Sequence, residues 1–235
     1  MVPITALGAG LMFATSASTA HGTDLRAGRF SELKDLISST SSSVTSLEKQ
    51  AAGLRADVAA ANRTAASSSS TVAAEKARGD VAAGTAGLEA VTGSGLTISL
   101  DDAPRPPQGQ PPASNNPDDL VVHQQDVQSV VNALWAGGAE AMTLMGERLV
   151  STSAVRCVGN TLLIQGRLVG PPFVISAIGP ADGMRSALDD EPGVALFRRY
   201  VADYGLRYSV VSRKALHLPA YDGPVELPHV SRTAR

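Results

Sequence analysis

One cysteine, one tryptophan and an aromatic share of only 4% bound what this 235-residue chain can do. A single thiol excludes an internal disulfide and any zinc site built from several cysteines. Scarce aromatics remove the stacking platforms on which single-strand nucleic-acid binders depend. A basic surplus is missing too. Lys and Arg number 20 against 22 Asp and Glu, a formal charge of -2, so no positive field is available for a phosphate backbone. Nucleic acid is therefore excluded as a partner. Gly93-Ser94-Gly95 lacks the lysine and trailing helix of a phosphate loop and reads as a turn before a strand.

Charge is also absent from Val2 to Ala20. That run of about 19 residues approaches the roughly 20 that cross a bilayer, which makes residues 1–22 a transmembrane or signal segment. Three readings compete: a retained anchor, a signal peptide cleaved after the small residues Ala17-Ser18-Thr19-Ala20, and a soluble terminus. Lys and Arg do not precede the run, whereas Arg26, Arg29 and Lys34 come after it. The positive-inside bias would then leave the remainder of the chain in the cytoplasm. An extracytoplasmic placement requires a native start upstream, with a basic tail. Sequencing the N-terminal peptide of the native protein tests this, and a start at Met1 counts against it.

A ladder of small and aliphatic residues comes next. Leu33, Ile37, Thr40, Val44, Leu47, Ala51, Leu54, Val58, Ala61 and Ala65 stand alternately four and three apart. This spacing keeps one stripe of a helix turned toward a partner, the arithmetic of a coiled coil, and predicts a rod over 30–78 that pairs copies of the chain. Ser31 is the expected N-cap. The seam is soft, because small knobs bury little area, and a membrane tether would compensate by concentrating the chains. The plainer alternative is a long surface helix folded back on the remaining domain. Ser67 to Ser70 should weaken the helix before Val72 to Arg78 resumes it.

From Gly87 onward the pattern changes. Leu96-Thr97-Ile98-Ser99-Leu100 alternates as a half-buried strand should and ends in Asp101-Asp102. Pro104 to Pro117 is too rich in Pro, Gln and Asn to pack. Asp118 or Asp119 is expected to cap a helix running to Ala136, with Val127, Val130, Val131 and Leu134 as its apolar stripe and Gly137-Gly138 as its stop. Strands are expected at Ala141–Met145, around Leu149–Ser153, at Thr161–Leu168 and at Phe173–Ile178, with Gly159-Asn160 as a hairpin turn. Helices at Asp182–Asp189 and Val194–Tyr204, capped by Gly205, lead to a last strand at Leu206–Leu216. The expected class is α+β. Residues 87–218 should form a ferredoxin-like, split βαβ domain with an antiparallel or mixed sheet and two helices on one face. A disordered tail should occupy 219–235.

Four stretches carry a family resemblance. Val91 to Asp102, Asp126 to Ala141, Ser151 to Asn160 and Pro171 to Ile175 resemble successive segments of the bacterial domain-of-unknown-function family 881, over about Gly87 to Leu216. The resemblance implies an actinobacterial-type, Gram-positive envelope protein with one membrane helix, an extracellular coiled coil and a ferredoxin-like domain outside. It also implies an association with cell division or cell-wall assembly, and no established activity. The thin apolar opening without a basic tail departs from the family's usual pattern.

Candidate chemistry is sparse. Asp101, Asp102, Asp118, Asp119 and Asp126 could together offer oxygen ligands to a hard cation, but they lack the alternation and fixed glycine of a calcium loop. A strand end and a helix N-terminus favour carboxylates in any case. His123 and Asp126 share a helix face and could join Ser151 or Ser153 in a hydrolase triad, yet neither serine has nucleophile-elbow glycines. Cys157 beside Arg156 is expected as a half-buried strand residue rather than a reactive thiol. Trp135 is expected to fill core at the end of the apolar stripe, the alternative being an exposed anchor for a partner. Arg198-Arg199 with Tyr200 suits either an anionic polymer or a solvated helix face. The resulting expectation is a non-enzymatic, membrane-tethered scaffold without cofactor, metal or catalytic residues, single-pass with its domain outside. Its expected partners are the membrane, further copies of itself and an unidentified envelope or division protein. The rival is an extracytoplasmic ligand-binding or hydrolytic domain using Asp101, Asp102 and His123.

Overall fold

The computed structural model describes residue 10, residues 25–223 and residue 225, with the backbone alone given for 25–35 and 37. The proposed membrane segment at 1–22 lies outside the described residues apart from Gly10. The chain divides into two units, 1–76 and 77–235. Among the described residues no helix is long and apolar enough to cross a membrane.

The first unit is helical. Helix α1 runs Leu25–Ser68, so Ser31 lies inside it and not at its cap. Its many hydroxyls bond back to its own carbonyls: Ser42 Oγ to Ser38 O at 2.9 Å, Ser43 Oγ to Ser39 O at 2.9 Å and Thr45 Oγ1 to Ser41 O at 3.0 Å. Such bonds engage the hydroxyl protons locally. The helix is interrupted at Ser69, whose Oγ accepts from Val72 N at 3.4 Å, and α2 continues over Ser70–Thr85, past Arg78.

The second unit holds the sheet. Strand β1 (Val91–Asp101) buries Leu96, Ile98 and Leu100 completely on one face while Thr97 and Ser99 turn to the other. Gly93-Ser94-Gly95 is not a turn before this strand but lies inside it, where the pairing with the last strand shifts register. Any Cβ on Gly95 would collide with the Ala177 carbonyl, so the strand passes its neighbour closer than a side chain allows.

After an exposed loop, a short 3-10 turn (Pro117–Leu120) is capped by Asn116, and helix α3 (Gln124–Ala136) begins only at His123. Asp118 and Asp119 therefore sit in the turn and cap nothing in α3. Next come β2 (Ala141–Leu144), β3 (Glu147–Leu149), β4 (Val155–Val158), β5 (Thr161–Ile164), β6 (Arg167–Val169) and β7 (Phe173–Ile178). Two of the expected strands are too long. Of Leu149–Ser153 only Leu149 is strand, the end of β3, and the rest is the turn before β4, while Thr161–Leu168 is two strands folded at Gln165-Gly166. The β2–β3 and β5–β6 connections, Met145-Gly146 and Gln165-Gly166, hold both residues at positive φ, which matches the twist of the strands they join. Met and Gln rarely adopt that conformation, and this hides both turns from the sequence.

Helices α4 (Ala181–Asp190) and α5 (Pro192–Tyr204) follow, and Gly205 ends α5 at φ 82° before β8 (Arg207–Leu218). A five-stranded antiparallel sheet has the order β3-β2-β7-β1-β8, and a separate three-stranded sheet the order β4-β5-β6. The fold is α+β. Three helices rather than two pack on the sheet, around a core of Leu96, Ile98, Leu134, Met142, Phe173, Ile175 and Phe197. Helices α3 and α4 meet at Gly137, where an added Cβ would lie 2.5 Å from Met184 Cα, so the glycine stop also permits the close crossing.

The segment leading into β1 and the segment leaving β8 are fastened by one side chain. Arg148, buried on β3, donates to Glu89 O at 3.1 Å and Pro219 O at 3.0 Å. Tyr221 N donates to Gly87 O at 2.9 Å beside it. The start of the expected tail, Pro219 to Tyr221, thus belongs to the folded unit. Residues 224 and 226–235 lie outside the described residues.

Candidate functional site

Helix α3 has two working faces. Val127, Val130, Ala133 and Leu134 are buried in the core. The flank at Gln124, Gln128, Val131, Asn132 and Trp135 lines a groove of about 390 Å³. Spacings of three and four put those residues on one side of the helix. The opposite wall is Leu149 to Ser151 with Ser153, Ala154 and Val155. It is a closed turn: Val150 N donates to Ser153 Oγ at 2.9 Å, and Ser153 N returns a bond to Val150 O at 2.9 Å. At one end Gln124 Oε1 accepts from Cys157 N at 2.8 Å and ties β4 to the helix. At the other end Trp135 leads into a second groove of about 430 Å³, along Gly84 to Gly87, Glu140, Ala141 and Arg148.

Trp135 is 41% exposed, which corrects the expectation of burial. The core ends at Leu134, and the turn facing Trp135 stands off far enough to leave the groove. Cys157 is also exposed, not half-buried, because β4 edges the small sheet; its Sγ donates to Gly159 O at 3.0 Å.

The acids are taken up by the fold. Asp101 pairs with Arg207, and Asp102 Oδ1 accepts from Val122 N at 2.8 Å, tying the end of β1 to the chain entering α3. Burial pushes the Asp102 carboxyl above its ordinary range, with the Val122 bond as a smaller opposing pull. Asp126 Oδ2 accepts from His123 N at 2.8 Å, a third-position carboxylate closing the helix N-terminus. Burial raises Asp126 as well, against the His123 bond. Asp119 accepts from Ser114 Oγ at 2.7 Å and Asn116 Nδ2 at 3.2 Å. Among the described residues no three His, Cys, Asp or Glu groups gather as a metal site.

His123 stands at the start of α3, with Nδ1 3.8 Å from Asp126 Oδ2. Ser151 and Ser153 line the groove, which His123 does not, so the imagined triad is not assembled there. Arg156 is exposed beside Cys157. Of the basic cluster, Arg198 binds Asp189 Oδ1 at 2.6 Å and lies 5.3 Å from the Tyr208 ring centre, Tyr200 packs edge-on against Tyr204, and Arg199 is exposed. Sequence reasoning misses the groove itself. Its one available signal is the amide and indole series Gln124, Gln128, Asn132, Trp135 along one side of α3.

Comparison with known proteins places these features in a family. The UPF0749 proteins MT1871 and Rv1823 of Mycobacterium tuberculosis are each 29% identical to the chain over 194 residues, covering 78% of it and 61% of their own length. The chain thus spans about three fifths of those curated relatives. The UPF0749 protein YlxW of Bacillus subtilis is 33% identical over 104 residues, 44% of the chain and 43% of its own length. A crystal structure of an uncharacterized conserved protein from Mycobacterium tuberculosis matches with a TM-score of 0.49 at 22% identity, over 66% of the chain and 99% of that structure. The model of the family described as bacterial protein of unknown function (DUF881) matches residues 80–231, so the chain belongs to that family.

Proposed function

We propose that this chain is a non-enzymatic scaffold of the bacterial envelope, held at the membrane by its opening segment, paired through α1 and carrying an extracytoplasmic docking head. The observation that carries the reading is the unpartnered ladder on α1. Val44, Leu47, Leu54 and Val58 are 45%, 63%, 67% and 60% exposed, and all four belong to the four-three stripe. A second copy of the same stripe is the simplest cover for it, since the spacing is that of a coiled-coil seam, and chains tethered at the same end would pair in parallel. The head carries polar groups engaged in holding its own backbone, as Asp102, Asp126 and Arg148 illustrate, and this suits docking better than turnover. A role in division or wall assembly follows from the family resemblance. We read the head as ferredoxin-like, since its β8-β1-β7-β2 order, with antiparallel neighbours, is that of two interleaved βαβ units. Strand β3 and the small sheet then form an insertion between β2 and β7.

Cysteine crosslinking in cells tests the pairing and the placement together. In a Cys157→Ser background, Leu54→Cys should give a disulfide-linked dimer in the membrane fraction, and Ala56→Cys, on the far side of the helix, should not. Equal crosslinking at both positions, or a soluble monomer, would defeat the reading.

A further inference from the structure

We infer that the groove beside Trp135 binds a neutral carbohydrate chain. The inference rests on reading the head as a docking module, but not on the pairing of α1. No residue lining this groove of about 390 Å³ carries a charge: its polar groups are the amides of α3 and the hydroxyls of Ser151 and Ser153. A phosphate or carboxylate ligand would find no cation there, and a cationic ligand no carboxylate.

What the groove does offer is the chemistry of a sugar ring. A pyranose has an apolar face of C–H groups and an edge of hydroxyls that both donate and accept. The half-exposed indole of Trp135 supplies a flat surface whose electron-rich face suits those C–H groups. Gln128 and Asn132 are four residues apart and both exposed, and their side-chain amides make no hydrogen bond among the described residues. Each amide carries a carbonyl acceptor beside an N–H₂ donor, the pairing that adjacent hydroxyls require. Ser151 faces them from the opposite wall. Because the bonds between Val150 and Ser153 hold that wall, the groove exists before anything binds, which limits the ordering cost. A peptide is a poorer occupant, since the edge strands β3 and β4 bring only one residue each, Leu149 and Val155, to the lining. The adjoining groove past Trp135, lined also by Glu140 and by Arg148, whose guanidinium is held by two backbone carbonyls, leaves room for a chain of several rings to continue.

The chain's single tryptophan makes the test direct. The full-length protein in detergent is titrated with the N-acetylglucosamine tetramer while Trp135 fluorescence is followed. A saturable shift below about 10 mM is expected. The double variant Gln128→Ala/Asn132→Ala, folded by circular dichroism, should raise the half-saturation concentration about tenfold or more. Trp135→Phe, read by calorimetry, should bind more weakly too. Oligogalacturonate, which is anionic, and a tetra-alanine peptide serve as probes of other chemistry. No saturable response to the neutral glycan overturns the inference, as does a response unchanged in the double variant or one given only by the anionic glycan or the peptide. Sedimentation of the same samples separates the two proposals. Association without glycan binding sinks only this one, and binding by a monomer sinks only the pairing.

Discussion

Leu96, Ile98, Leu100 and Leu134 in the head expose none of their surface, whereas Leu47, Leu54 and Val58 in α1 expose 60% to 67% of theirs. Both sets are aliphatic and the difference lies in what surrounds them. A sheet covered by three helices encloses its apolar side chains within one chain. A lone helix, however long, turns its stripe toward solvent until a second helix arrives. Apolar residues in the head therefore stabilise a fold, whereas those of the α1 stripe are left largely uncovered among the described residues. Polar residues differ in the same way. Ser and Thr of α1 bond to carbonyls one turn away, while Asp102, Asp126 and Arg148 hold backbone at the joints of the head, Asp102 and Arg148 across segments distant in sequence.

This contrast can be broken by mutation. Phe173 is fully buried, so Phe173→Ala should lower unfolding free energy by about 3–5 kcal/mol, and Leu54→Ala should leave the head's urea midpoint unmoved. Equal effects of the two would erase the distinction between the units. Arg148→Met should cost about 2–3 kcal/mol, since two carbonyls lose a charged donor, and amide exchange should accelerate at Gly87 to Glu89 and at Tyr221 before the sheet core responds. An unchanged exchange pattern would mean that the fastening is idle.

The smallest effect concerns pH. Burial lifts Asp126 above the ordinary Asp value of 3.8, so its folded form holds a proton more readily than its unfolded form. That difference stabilises the head when the carboxyl is protonated and is lost as pH rises from about 3.8 through the raised value. Asp126→Asn keeps an acceptor for His123 N and removes the titration. Urea midpoints measured from pH 4 upward should therefore fall less steeply in the variant. An identical slope would assign the dependence to other groups.

Much of the head is legible in the sequence, for identifiable reasons. The alternation of Leu96 to Leu100, the glycine stop at Gly137-Gly138 and the cap at Gly205 depend on local sterics and a short period, which a sequence displays openly. Asp126 as a helix-closing carboxylate is obscured by the nearer acids Asp118 and Asp119, which the fold uses in a separate turn. The groove is hardly legible. Helical spacing sets Trp135 at the margin of the apolar stripe, and burial at a margin is decided by the neighbour. Here that neighbour is the turn from Val150 to Ser153, which closes on itself and stops short of the indole.

The order of residues alone determined where helices and strands can form, which side of each is apolar, and that α1 carries a stripe suited to a partner. Those properties arise from spacing and backbone sterics within a few residues. Only the tertiary structure decided which acids became fastenings, which chain segments Arg148 joins, and whether Trp135 met core or solvent. These outcomes depend on segments far apart in sequence coming within hydrogen-bonding or packing distance, and no local pattern encodes that distance.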